Sequence, residues 1–189
     1  MMAEVIIFDI DGTLASTSPN RLKFLKPKFG SPVEYNGGKF TFLEGLKTKE
    51  NIVVLENEHG IFLADRNKVK FKADYEAFND SLEYDKPNEN VAKICRALHD
   101  KYNIFICTGR TEKYRARTET WLDKNGIDCD ELWMRPDGNT EPDAVVKKRM
   151  LDAIEMSNAV IAVFDDREKV VNMWRENGIL CCQVAKGEY

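Results

Sequence analysis

The chain has 189 residues, 43% of them apolar and 32% charged, and a formal net charge of −4. That length holds one well-filled core with a small accessory lobe, and the charge excludes a global basic field, so any polyanion site must be local. There is no apolar run of about 18 residues, no signal-peptide layout and no CxxC pair, which predicts a reduced, cytoplasmic protein with neither a membrane span nor zinc.

Val5–Phe8 is the first predicted strand, an apolar run that stops on Asp9 and Asp11. From Ser16 to Lys72 the pattern turns to short alternating segments, KFTFLEGL, NIVVLENEHGIFLA and KVKFK, which predict a small antiparallel insert turning at ENEHG. Pro87 is expected to open a helix that turns Val91, Ile94, Cys95 and Leu98 to one face. The strand Ile104–Cys107 follows, then a helix bearing Tyr114, Thr118, Trp121 and Leu122 that stops at Gly126. Leu132–Met134 is the next strand. After it, Pro142 opens a helix with Val146, Met150, Leu151 and Ile154 on one side. Val160–Phe164, a helix carrying Val170, Val171 and Trp174 up to Gly178, and Leu180–Val184 complete the series. Continuously apolar strands alternating with amphipathic helices predict a parallel α/β sheet covered on both faces.

Residues i and i+2 of a strand share a side, so Asp9 and Asp11 point one way at the strand's carboxyl end, where ligands bind in open α/β sheets. Gly12 allows a tight turn whose amides can approach an anion. VIAVFDDR repeats the design with Asp165 and Asp166. If the two strands are neighbours, four carboxylates crowd together, each pair repelling by about 3 kcal/mol at ~5 Å, and oxygen-only ligands select Mg²⁺ to relieve this. IFICTGR adds the Thr108 hydroxyl, a close approach at Gly109 and the phosphate-matching fork of Arg110. Lys147, near a helix start, adds a cation.

FDIDGT, ICTGR, a following lysine and VFDD resemble, in order, the four motifs of haloacid dehalogenase-like phosphohydrolases. The resemblance implies a Rossmann-like fold with a five-stranded parallel sheet, Mg²⁺ and an aspartyl-phosphate intermediate. Within that group FDDREKVVNMWRENGILCCQVAKGEY, KYRARTETWL and PDAVVK are similar to the 3′-phosphatase domain of phage-type polynucleotide kinase-phosphatases, over residues 1–15 and 75–189. Thr108 stands where the phage enzymes carry serine, which keeps the hydroxyl. The kinase half has no counterpart, because no GxxxxGK followed by Ser or Thr occurs.

The expected organisation is therefore a phosphatase core, residues 1–15 and 73–189, with a cap-like insert at 16–72. The resemblance implies that Asp9 is the nucleophile and Asp11 the general acid and base. Thr108 and Lys147 would hold the phosphoryl oxygens, with Gly12, Thr13, Gly109, Arg110 and Asp143 around the substrate. Asp9, the Asp11 carbonyl, Asp165 and Asp166 would hold Mg²⁺. A phosphorylated nucleic-acid end is the expected substrate. A mononucleotide or other small phosphate ester, and a catalytically silent nucleic-acid-binding module, are the competing readings. Four bases (Arg21, Lys23, Lys26, Lys28) interleaved with Phe24 and Phe29 are a possible phosphate strip in the insert. Oligomeric state is not legible.

Overall fold

The computed structural model describes residues 2–45 and 51–186. Leu46, which ends the predicted KFTFLEGL segment, and residues 187–189 of the C-terminal resemblance lie outside the described residues. The chain divides into two compact units, Met1–Ser18 with Leu82–Tyr189, and Pro19–Ser81. The division falls later than the expected insert boundaries at both ends.

In chain order the elements begin with β1 (Ala3–Phe8), β2 (Ala15–Ser16), α1 (Pro19–Leu22), β3 (Pro32–Tyr35) and β4 (Gly38–Gly45). They continue with β5 (Ile52–Asn57), β6 (Gly60–Asp65), α2 (Tyr75–Asp80), β7 (Lys86–Pro87), α3 (Glu89–His99) and β8 (Asn103–Thr111). The last are α4 (Arg115–Lys124), β9 (Glu131–Arg135), α5 (Asp143–Glu155), β10 (Asn158–Asp165), α6 (Glu168–Glu176) and β11 (Cys181–Gln183).

The larger unit is built on a five-stranded sheet in the order β11-β10-β1-β8-β9, with every pairing parallel. Alternate residues of β1 feed two cores. Ile6 and Phe8 pack with Val91, Cys95, Trp121 and Leu122 of α3 and α4. Val5 and Ile7 pack with Val146, Leu151, Val170 and Trp174 of α5 and α6. Helices thus cover both faces, and the central strand β1 reads as an unbroken apolar run because Val5–Phe8 are buried on both sides. The chain builds outward from β1 through β8 to β9, then crosses back to β10 and β11. The carboxyl end of β1, flanked by β8 and β10, is the switch point at which such sheets bind ligands. β2 pairs with β7, Ala15 opposite Pro87, so the chain leaves and re-enters this unit side by side.

Local differences from the sequence reading have plain causes. Pro87 lies in β7, and α3 begins at Glu89 after Asn88, whose carbonyl accepts from Ala92 N at 2.8 Å. Ile94 is exposed, because the buried stripe of α3 runs through Val91, Ala92 and Cys95. Tyr114 is buried in a 3₁₀ turn just ahead of α4.

The smaller unit is an antiparallel sheet, β3-β4-β5-β6, over Val33, Phe42, Val53, Leu55 and Ala64. Asn36 and Gly37, with φ of 51° and 80°, turn β3 into β4 in the left-handed geometry of a type I′ hairpin. The predicted KVKFK strand reduces to one bridge, Lys70 to Glu34, and α2 had no counterpart in the sequence reading. Among the described residues no helix is long and apolar enough to cross a membrane.

Candidate active site

β1 delivers Asp9 to the switch point, where its backbone N–H donates to the Phe164 carbonyl of β10 at 3.0 Å. The chain then turns sharply, Ile10 going into the core and Gly12 adopting φ +93°. The amides of Gly12 and Thr13 donate to Ala15 O and Ile10 O at 2.9 and 3.1 Å. They are spent inside the loop, which corrects the expectation that these amides cradle an anion. Thr13 is fully buried, its hydroxyl without a partner among the described residues.

Lys147 ties the site together. Its position on the second turn of α5 puts the ammonium 2.7 Å from Asp9 Oδ1 and 2.9 Å from Asp165 Oδ2, with Asp143 Oδ2 at 3.8 Å. It is 1% exposed. Trp174 Nε1 donates to Asp165 Oδ2 at 3.2 Å, and the Arg167 N–H donates to Asp165 Oδ1 at 3.1 Å. Asp9, Asp165 and Asp166 each present an oxygen within 4.8 Å of the others. The two acidic strand ends do converge, because β1 and β10 are paired neighbours.

Three buried carboxylates against one ammonium leave an uncompensated charge of about −2. Burial first, then Asp165 and Asp166, push the Asp9 carboxyl well above its ordinary range despite the opposing pull of Lys147. Burial and Asp165 raise Asp166 to about 6. Burial alone would lower the Lys147 ammonium, but Asp165, Asp9 and Asp143 more than reverse this and hold it well above its usual value. An excess of negative charge made only of oxygen donors suits a hard divalent cation, and Mg²⁺ fits the set.

Asp11 lies outside that cluster. Arg110, 1% exposed on β8, donates from Nε and Nη2 to its two oxygens, each at 2.8 Å. The fork expected to meet phosphate is therefore given to Asp11, a correction to the sequence reading. Asp85 Oδ2 sits 3.8 Å from Arg110 Nη2, its Oδ1 accepts from Ser18 N at 2.9 Å, and its carbonyl accepts from Trp121 Nε1 at 3.0 Å. Beside Arg110, the buried Thr108 hydroxyl accepts the Arg110 N–H at 3.2 Å.

Asp143 likewise meets cations rather than open space. Its Oδ1 accepts from Arg135 Nη2 at 3.0 Å, and Arg167 Nη1 lies 3.6 Å from its Oδ2. Arg135 also donates to Gly109 O at 3.0 Å and to Glu141 O at 2.8 Å, fastening β8 to the start of α5. A Cβ on Gly109 would lie 2.6 Å from Asp143 Oδ1, which explains the glycine. Asp85, Arg135 and Trp174 were not read as site residues. Arg135 carries a usable signal, since it is the last residue of β9 as Asp165 is of β10, whereas Asp85 carries none.

A switch-point cluster of Asp9, Lys147, Asp165 and Asp166 on this sheet defines a haloacid dehalogenase-like phosphatase, a phosphomonoesterase. The chain belongs to the polynucleotide kinase PNKP phosphatase-domain family, whose model matches residues 63–189. That match begins beyond Asp9 and Asp11, so their place in the site rests on geometry. A protein of Autographa californica nuclear polyhedrosis virus, named as a bifunctional polynucleotide kinase/RNA ligase, is 36% identical over 104 residues, 52% of this chain and 15% of that protein. A chain of the Pnkp1/Rnl/Hen1 complex superposes with TM-score 0.66 at 25% identity, over 100% of this chain and 48% of that one. A haloacid dehalogenase-like hydrolase from Streptococcus pneumoniae, 12% identical, shares the fold with TM-score 0.52 over 95% of this chain and 83% of its own. The chain thus spans under half the length of the polynucleotide-processing proteins it matches.

Proposed function

We propose that this protein is a Mg²⁺-dependent polynucleotide 3′-phosphatase that works through an aspartyl phosphate on Asp9. The observation that carries the reading is the Lys147 ammonium bridging Asp9 and Asp165 beside Asp166. One Asp9 oxygen is held by Lys147, and the other attacks phosphorus while the bond to the sugar oxygen breaks. Asp11 gives that oxygen its proton, then takes one from the water that opens the acyl phosphate. Arg110 grips both Asp11 oxygens and is a positioning residue. Lys147 and the Thr108 hydroxyl meet the phosphoryl oxygens and offset their charge in the transition state. Asp143 acts through Arg135 and Lys147, holding both in place. Asp9 and Asp166 would hold Mg²⁺ with the Asp11 carbonyl, Asp165 lying behind. When bound, the ion supplies the positive charge that lets a phosphate dianion enter.

Membership of a polynucleotide phosphatase family supports the 3′-end substrate. A panel of 3′-phosphorylated and 5′-phosphorylated oligonucleotides and 3′ and 5′ mononucleotides, run with Mg²⁺, tests it. The expected result is the largest kcat/KM on the 3′-phosphorylated strand. Equal or better turnover of mononucleotides would replace this reading with a nucleotidase.

A further inference from the structure

The unit Pro19–Ser81 carries a basic and aromatic surface that the phosphatase chemistry does not use. Between Ala15 and Val33 the sequence has no acid. Arg21, one of its four bases, is withdrawn: it is 0% exposed, its guanidinium lies 4.0 Å over the Phe78 ring, and Nε donates to Phe78 O at 2.8 Å. That removes it from any substrate strip and makes it the anchor of the segment.

The other three bases are exposed. The ammonium groups of Lys23 and Lys28 both lie 5.2 Å from the Phe24 ring centroid, so one half-buried ring gathers two cations. None of Lys23, Lys26 and Lys28 pairs with a carboxylate among the described residues. Asp74, which precedes α2, a helix packed against this segment, spends its carboxylate on capping the Ala77 N–H at 3.0 Å.

Phe29 is 80% exposed for a defined reason. Ser31 N donates to Lys28 O at 2.9 Å, and Gly30 takes φ +78°, as the third position of a type II turn requires. Phe29 is the outer corner of that turn. Gly30 N and Phe42 O, at 2.8 Å, fasten the turn to β4. The ring is held outward, beside lysines, on an anchored support.

Three unpaired cations spaced along a short segment, with a presented aromatic ring, match a single-stranded nucleic acid, whose phosphates meet lysines while a base stacks on the ring. We infer that Lys23, Lys26, Lys28 and Phe29 form a contact surface for single-stranded nucleic acid. These residues lie outside the stretch that defines the family. The inference takes its partner class from the polynucleotide reading, but its test involves no turnover.

The test is fluorescence anisotropy of the whole chain with a labelled single strand of about a dozen nucleotides lacking any terminal phosphate, titrated at several salt concentrations. Changing the three lysines to glutamine should weaken binding at low salt by at least tenfold and lower the salt slope by about two. Phe29→Ala should cost on the order of tenfold with the slope unchanged. Changing the lysines to arginine should keep both affinity and slope. An unchanged glutamine variant would overturn the inference, as would an arginine variant that fails like the glutamine one. So would lysine-dependent binding to anionic lipid vesicles without binding to the strand. Failure of the phosphatase reading would appear instead in the substrate panel, with this binding intact.

Discussion

Lys147→Met removes the cation and keeps the length of the chain. Lys147 is buried and bonded to Asp9 at 2.7 Å and Asp165 at 2.9 Å, so the variant leaves those acids and Asp166 crowded without the ammonium that bridges them. Removing one partner of a buried ion pair costs about 3–5 kcal/mol. For a chain of 189 residues, an unfolding entropy near 0.4 kcal/mol/K converts this into a melting temperature roughly 8–12 °C lower. The charge origin of the loss gives it a signature. Near pH 5 the crowded acids take up protons, so the deficit shrinks, and saturating Mg²⁺ at neutral pH shrinks it too. Scanning calorimetry of both proteins, at both pH values and with and without Mg²⁺, reads all of this. A neutral-pH shift under about 2 °C, or a deficit indifferent to both pH and Mg²⁺, would refute the charge account and leave Lys147 as packing alone.

Asp9→Asn should fold, melt no lower than wild type because it removes one of the crowded charges, and lose at least about a hundredfold in kcat, measured by phosphate release. Gly109→Ala puts a methyl 2.6 Å from Asp143 Oδ1, which displaces the carboxylate from Arg135; kcat should fall far more than KM rises, and steady-state kinetics separates the two. The raised Asp166 pKa, about 6, means that the folded protein holds that proton more tightly than the unfolded chain. Without metal, stability present below pH 4 is lost as pH rises through about 6, and Mg²⁺ affinity by calorimetry falls as pH drops below that value.

Much of the site was legible because its logic is local. An apolar run ending in acids two apart places carboxylates at a strand end, and two such runs met when β1 paired with β10. What sequence could not show is pairing across distance. Arg110 is 99 residues from Asp11, and nothing local indicates that its fork closes on that acid and not on phosphate. Arg21 reads as basic surface but turns inward onto Phe78, 57 residues on. In the smaller unit the reverse happened. Asn36-Gly37 is a strong hairpin signal, yet β3 before it is four residues long with Val33 alone buried, too short for its alternation to stand out. KVKFK alternates well but among the described residues it finds one bridging partner, Glu34, so propensity without a neighbour produced no strand.

Acid-quenched single turnover tests covalent catalysis by Asp9. A strand bearing a ³²P-labelled 3′-phosphate is mixed with excess enzyme and Mg²⁺, quenched in milliseconds, and the protein is digested and mapped. Transient label is expected on the peptide containing Asp9, released by hydroxylamine as an acyl phosphate is, and none in Asp9→Asn. Full turnover with no protein-bound label at any time, or label on another residue, would contradict it.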